Sequence, residues 1–169
     1  PNPTKKEEQS MKSMNRLDKV KTYVVSILMA QNNYEIRNKG FIHLFGVSSI
    51  CNLLALKRNL DPEICAVFGI LHDIYKYKNA SSIDHAHLGS IEARKILSEI
   101  DCFTESEIDI ICHAIYNHSN KASIDNPYDE LLKDADVLQH YLNNVNNPIQ
   151  SNEIDRTNCL LHEFNIKKP

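Results

Sequence analysis

Only four glycines and six prolines punctuate the 169 residues, too few for a loop-rich or many-stranded fold. No segment keeps a steady period-two alternation, which argues against sheet, and no fixed-spacing repeat suggests a solenoid. Positive charge is sparse and scattered. The net charge is −3, and the pairs Lys5-Lys6 and Lys167-Lys168 lie only at the ends. A protein that tracks duplex nucleic acid needs clustered cations, so a duplex is not expected as partner. Tryptophan is absent, and the five cysteines (Cys51, Cys65, Cys102, Cys112, Cys159) are odd in number, with no Cys-x-x-Cys spacing. That pattern suggests reduced, core-filling thiols rather than a disulfide framework or a thiolate zinc site. Apolar stretches fall short of the roughly 20 residues that span a bilayer. No membrane partner is therefore expected, and with no charged-then-apolar signal at the start, the expected location is cytoplasmic.

What remains is a chain with 42% apolar residues, of one-domain length and able to bury about two-thirds of its unfolded surface. Residues 1–10 are polar and charged and are expected to be disordered. From Met11 a helical period runs through Met14, Leu17, Val20, Val24, Ile27 and Leu28. Asn32-Asn33 and the Asn38-Lys39-Gly40 cluster mark a break before a second helix, Phe41 to about Lys57. Asp61-Pro62 is an N-cap followed by a first-turn proline, and predicts a buried third helix reaching Tyr77. Asp84 is placed to cap a fourth, His85 to about Ile100, with Ile91, Ile96 and Leu97 inward. Thr104-Glu105-Ser106-Glu107 reads as a capping box for a fifth. A sixth starts at Asn126-Pro127 and runs to Leu142, and a seventh lies within about 149–164. The expected fold class is all-α, a bundle of six to seven helices.

The functional signal is His72-Asp73, set at the end of the apolar run Ile64–Leu71. A carboxylate carried into such surroundings needs compensation, and a bound cation is the simplest form. Single histidines on helix stripes are more often hydrogen-bonded core residues, and aspartates in helices are more often solvated. The combination shifts that balance, because Asp136 is embedded in a second apolar helix and two buried carboxylates call for a shared partner.

The ordered segments resemble the HD phosphohydrolase superfamily. His43-Leu44-Phe45-Gly46-Val47 is similar to its opening His-x-x-x-Val helix, and Ile70-Leu71-His72-Asp73-Ile74-Tyr75-Lys76 to its Leu-Leu-His-Asp-Ile-Gly-Lys signature. His85-Ala86-His87-Leu88-Gly89-Ser90 resembles the His-Pro-x-Ile-Gly-Ala motif of dinuclear branches. Asn117-His118-Ser119 and Asp134-Ala135-Asp136 match later segments, so the resemblance spans about 41–142. It implies a compact HD-type domain over 11–169 with a metal site between helices. His43, His72, Asp73 and Asp136 would hold one divalent ion (Mn, Fe, Co, Ni, Zn or Mg), and Asp73 would bridge to a second held by His85 and His118.

Two carboxylates against two divalent ions would leave the site at about +2, matched to a phosphate ester. A metal also lowers the pKa of bound water to roughly 7. The implied activity is hydrolysis of a phosphomono- or phosphodiester in a small phosphorylated substrate, a nucleotide or relative, with Asp73 and Lys76 as catalytic residues. Asp73 would orient the water. Lys76 shares a helix face with His72 and Asp73, and reads either as a phosphate contact or as a member of the solvated run Lys76-Tyr77-Lys78. His87 competes with His85, and His113 with His118; the motif match favours His85 and His118. Tyr75 and Ala86 depart from the motifs' Gly and Pro. His140 and His162 carry no motif and read as structural or surface residues. The same scaffold also supports a di-iron oxygenase, or a non-catalytic signalling module with lost ligands, although all six motif positions are present here.

Overall fold

The computed structural model describes residues 14–167, all helix and connection, with no strand among them. The helix onset at Met11 and the disorder expected for residues 1–10 lie outside the described residues. The helices are α1 Arg16–Ala30, α2 Tyr34–Arg58, α3 Pro62–Leu71, α4 Ile74–Asn79, α5 His85–Ile100, α6 Glu105–Asn117, α7 Pro127–Asn143 and α8 Ile154–Glu163. All seven expected helices are present in order, and the third is split into α3 and α4.

The centre of the bundle is α3, whose residues Ile64 to Leu71 are all buried. A helix that is apolar on every side must be wrapped, and α1, α2, α6 and α7 pack around it. Asp61 accepts hydrogen bonds from the Glu63 and Ile64 amides at 2.9 and 3.0 Å, fixing where α3 starts. It ends because of a side chain. The Nδ1 of His72 lies 2.8 Å from the Gly69 carbonyl, the group that would accept from the Asp73 amide if the helix continued. Asp73 then turns to φ −109°, ψ 14°, and α4 begins. The split therefore falls on the His-Asp pair.

Three other expectations are corrected. The second helix starts seven residues earlier than expected, at Tyr34, because the Asn33 side chain accepts from the Glu35 and Ile36 amides. Gly40 lies inside α2, where a Cβ would come within 2.7 Å of Leu28 Cδ2 and 3.1 Å of the Tyr77 ring; it allows close packing rather than a turn. Asp84 does not cap α5: its backbone is left-handed (φ 49°) and its carboxylate pairs with His87. Ile91 is 57% exposed and Leu142 is also exposed; the inward stripe of α5 is Ala86, Gly89, Ala93, Ile96 and Leu97.

By length and composition α2 is apolar enough to cross a membrane, which the short apolar runs of the sequence did not suggest. Here 44% of its most apolar window is buried, and it packs on α3 and α7 as a core helix. Cys51, Cys65 and Cys112 are buried free thiols in the core, whereas Cys159 is exposed.

The capping box is present. The Thr104 hydroxyl accepts from the Glu107 amide at 3.3 Å, and the Glu107 carboxylate accepts from the Thr104 amide at 2.7 Å. Thr104→Ala should lower stability by about 1 kcal/mol, read by chemical denaturation, with metal affinity unchanged.

Candidate metal centre

Five helical segments converge on one buried point. His43 comes from the middle of α2, His72 and Asp73 from the α3–α4 break, His85 from the first residue of α5, His118 from the end of α6, and Asp136 from the middle of α7. Three of these imidazoles are aimed by the same local device. His72 Nδ1 bonds the Gly69 carbonyl at 2.8 Å, His118 Nδ1 that of Ile115 at 2.6 Å, and His85 Nδ1 that of Ser82 at 3.0 Å, each three residues back. A carbonyl only accepts, so Nδ1 carries the proton and Nε2 presents a lone pair inward. His43 is held similarly, with Nδ1 2.8 Å from Gln139 Oε1.

The inward atoms form two groups around Asp73. Its Oδ2 lies 3.6 Å from His43 Nε2 and 3.8 Å from His72 Nε2, while its Oδ1 lies 3.5 Å from both His85 Nε2 and His118 Nε2. Asp136 Oδ1 completes the first group, 3.4 Å from His43 Nε2 and 3.7 Å from His72 Nε2. The donor atoms of His43, His72 and Asp73, and those of Asp73, His85 and His118, lie within 4.8 Å of one another.

Divalent cations fit this donor set on two observations. Asp73 Oδ1 and Asp136 Oδ1 are buried with no hydrogen-bond partner. The Nε2 atoms of His43 and His72 stand 3.0 Å apart with their ring protons on the far side, so two lone pairs face each other. An ion between them turns that repulsion into coordination. Imidazole and carboxylate without thiolate suit Mn, Fe, Co, Ni or Zn.

The electrostatics keep the ligands ready. Burial pushes the His72 imidazole down to about 4, so it stays neutral. Burial works to raise the Asp73 carboxyl, but positive charge gathered in acid on the neighbouring imidazoles, that of His72 first, outweighs it and holds the carboxyl well below the usual range. For Asp136 burial is overcome mainly by the Lys121 ammonium, which holds the carboxyl well below the usual range. Each carboxylate binds one lysine: Lys76 Nζ is 2.6 Å from Asp73 Oδ2 and Lys121 Nζ 2.6 Å from Asp136 Oδ2. The Lys76 side chain is 33% exposed, whereas Lys121 is almost fully enclosed.

The competing residues lie elsewhere. His87 is exposed against Asp84, and His113 pairs with the fully buried Asp129, which Asn117 also contacts at 2.8 Å, tying α6 to α7. Asp134 is bound by Arg58 and Arg156, each at 2.8 Å.

A model of the HD domain family matches residues 40–141, well over half of the chain. The chain belongs to the HD domain family. HD domains bind divalent metals, and the His/Asp donor set described above is of that kind. This HD domain is similar to two proteins named 3'-5' exoribonuclease YhaM. The one from Bacillus velezensis is 26% identical over 69% of this chain and 40% of its own length; the one from Bacillus subtilis is 26% identical over 75% and 43%. The chain thus spans about two-fifths of those relatives. No solved structure matches it.

Residues that the motifs do not mark lie against this cluster, among them His140, which the sequence suggested was a structural or surface residue. Gln139 and His140 follow Asp136 by three and four positions, so they share its helix face, a signal present in the sequence. His140 stacks on His43 with ring centres 5.2 Å apart and planes 14° from parallel. Its Nε2 is 3.5 Å from Asp136 Oδ1 and its Nδ1 3.0 Å from Glu153 Oε1. The Glu153 carboxylate raises the His140 imidazole above its ordinary value, against burial.

Proposed function

We propose that this HD domain hydrolyses phosphodiester bonds of a nucleotide or short oligoribonucleotide at a two-ion centre. In this reading His43, His72, Asp73 and Asp136 hold one ion, and Asp73, His85 and His118 hold the other. The observation that carries it is Asp73, whose two oxygens each face a separate pair of inward imidazole nitrogens. The nucleotide class is supported by relatives named as exoribonucleases.

When bound, divalent ions there supply Lewis-acid charge and lower the pKa of coordinated water to roughly 7. The protein's own groups set the stage. The two ammonium groups offset the two carboxylates, so each divalent ion adds its full charge to a site that meets an anionic ester. Asp73 holds the geometry common to both positions and orients water beside it. Lys76, partly open to solvent, is the ammonium that can turn from Asp73 to a phosphate oxygen and stabilise charge developing there. Lys121 is enclosed on Asp136 and positions that ligand.

The test is metal analysis of anaerobically purified protein, then Mn(II)-loaded turnover of a short oligoribonucleotide and of nucleoside phosphates. Release of nucleotide or phosphate is expected. Iron-dependent oxygen consumption with no such release would instead assign the oxygenase chemistry. His118→Ala should lower the affinity of one ion far more than the other in a cobalt(II) titration; equal loss of both would reject the two-position division.

A further inference from the structure

We infer that His140 is an additional ligand of the ion held by His43 and Asp136, aimed by the carboxylate of Glu153. The inference rests on the metal-centre reading above and goes beyond its motif-bearing residues.

His140 repeats the arrangement of the four motif histidines. Its Nδ1 faces an acceptor, Glu153 Oε1 at 3.0 Å, and its Nε2 faces inward. The inward distance, 3.5 Å to Asp136 Oδ1, lies between those of His43 (3.4 Å) and His72 (3.7 Å) to the same oxygen. That oxygen is one of the two buried acceptors with no hydrogen-bond donor. Ligands about 2.1 Å from a shared ion lie roughly 3–4 Å from one another, the spacing seen here. The donor atoms of His43, Asp136 and His140 lie within 4.8 Å of one another, and near-parallel stacking keeps the His43 and His140 rings side by side.

Glu153 makes the case specific. It is buried (4% exposed), and no lysine or arginine pairs with it among the described residues. A buried carboxylate on the far nitrogen of an imidazole is the arrangement that orients and strengthens metal-binding histidines. Glu153 stands just before α8 and outside residues 40–141, so a segment beyond the family match reaches back to the centre. His140 and Glu153 also line a cavity of about 390 Å³ with His43 and Tyr77.

Cobalt(II) titration of the full chain tests this, with absorption spectra of wild type, His140→Ala, His140→Gln and Glu153→Gln. Both His140 variants should weaken binding of the first ion by more than the roughly 10–100-fold that losing an outer partner of a ligand costs, with an altered cobalt spectrum and the second ion unmoved. Glu153→Gln should shift affinity in the same direction by less. A measurement independent of variant folding is the ¹⁵N spectrum of wild type on zinc(II) addition, where the His140 Nε2 resonance should move with that of His43. Unchanged cobalt affinity and spectrum in folded His140 variants, or an unmoved His140 Nε2 resonance in zinc-loaded protein, would overturn the assignment. Failure of the underlying reading looks different: the wild type itself would take up no ion.

Discussion

Replacing Asp73 by alanine will empty both ion positions at once and reduce phosphodiester turnover to the level of the metal-free blank. Asp73 is the one side chain that faces both groups, with Oδ2 toward His43 and His72 and Oδ1 toward His85 and His118. Donor atoms of His72, His118 and Asp136 also lie within 4.8 Å of one another, but only Asp73 offers a separate oxygen to each side, so His85→Ala should weaken one ion and Asp73→Ala both. The loss should exceed the roughly 10–100-fold that removing an outer partner of a ligand causes. The fold should survive, because Lys76 is partly exposed and can turn to solvent once its carboxylate is gone. Metal analysis together with thermal unfolding separates the outcomes. A folded Asp73→Ala protein that keeps either ion at wild-type affinity would remove Asp73 from its place in the centre.

Gly69→Ala is the second large effect, expected first in stability and then in metal affinity. A Cβ at this position would lie 2.8 Å from Cys51 Sγ and 2.9 Å from Ser48 Cα, where α2 and α3 cross. Ser48 is held there by its hydroxyl, which donates to the Ala66 carbonyl at 2.8 Å, so the backbone has little room to retreat. Overpacking of this kind costs roughly 2–3 kcal/mol. For a chain of this size that is a fall in Tm of about 4–12 °C. The same shift moves the Gly69 carbonyl that aims His72, so the surviving folded protein should also bind the first ion more weakly. Unchanged Tm and cobalt affinity would show that α2 and α3 can separate without disturbing the centre.

The helices were legible from their hydrophobic period, and the six donors that the structure brings together were implied by the resemblance of the ordered motifs to the HD superfamily, not by spacing alone. His85 over His87 was legible from the motif and agrees with helix phase, since two residues along a helix point well apart. The break at His72 was not, because it depends on a side chain taking the carbonyl of Gly69, which hydropathy does not encode. Gly40 misled for the opposite reason: a glycine needed for contact with Leu28 and Tyr77 looks the same in sequence as one that ends a helix. Gln139 and His140 could have been found by counting from Asp136. Glu153 could not, since it reaches His140 from an irregular stretch thirteen residues away.

The hydrogen bonds from His72, His85 and His118 to carbonyls three residues back mean that the rotation of each ring is set within its own turn. Helix packing decides where those turns meet, and two connections share in the aiming: Ser82 in 80–83 supplies the carbonyl for His85, and Lys121 in 119–125 holds Asp136. A connection such as 101–104, on the side of the bundle away from these contacts, can lengthen, shorten or drift in sequence while the donor atoms keep their bearing, whereas changes in 80–83 or 119–125 would reach the centre itself.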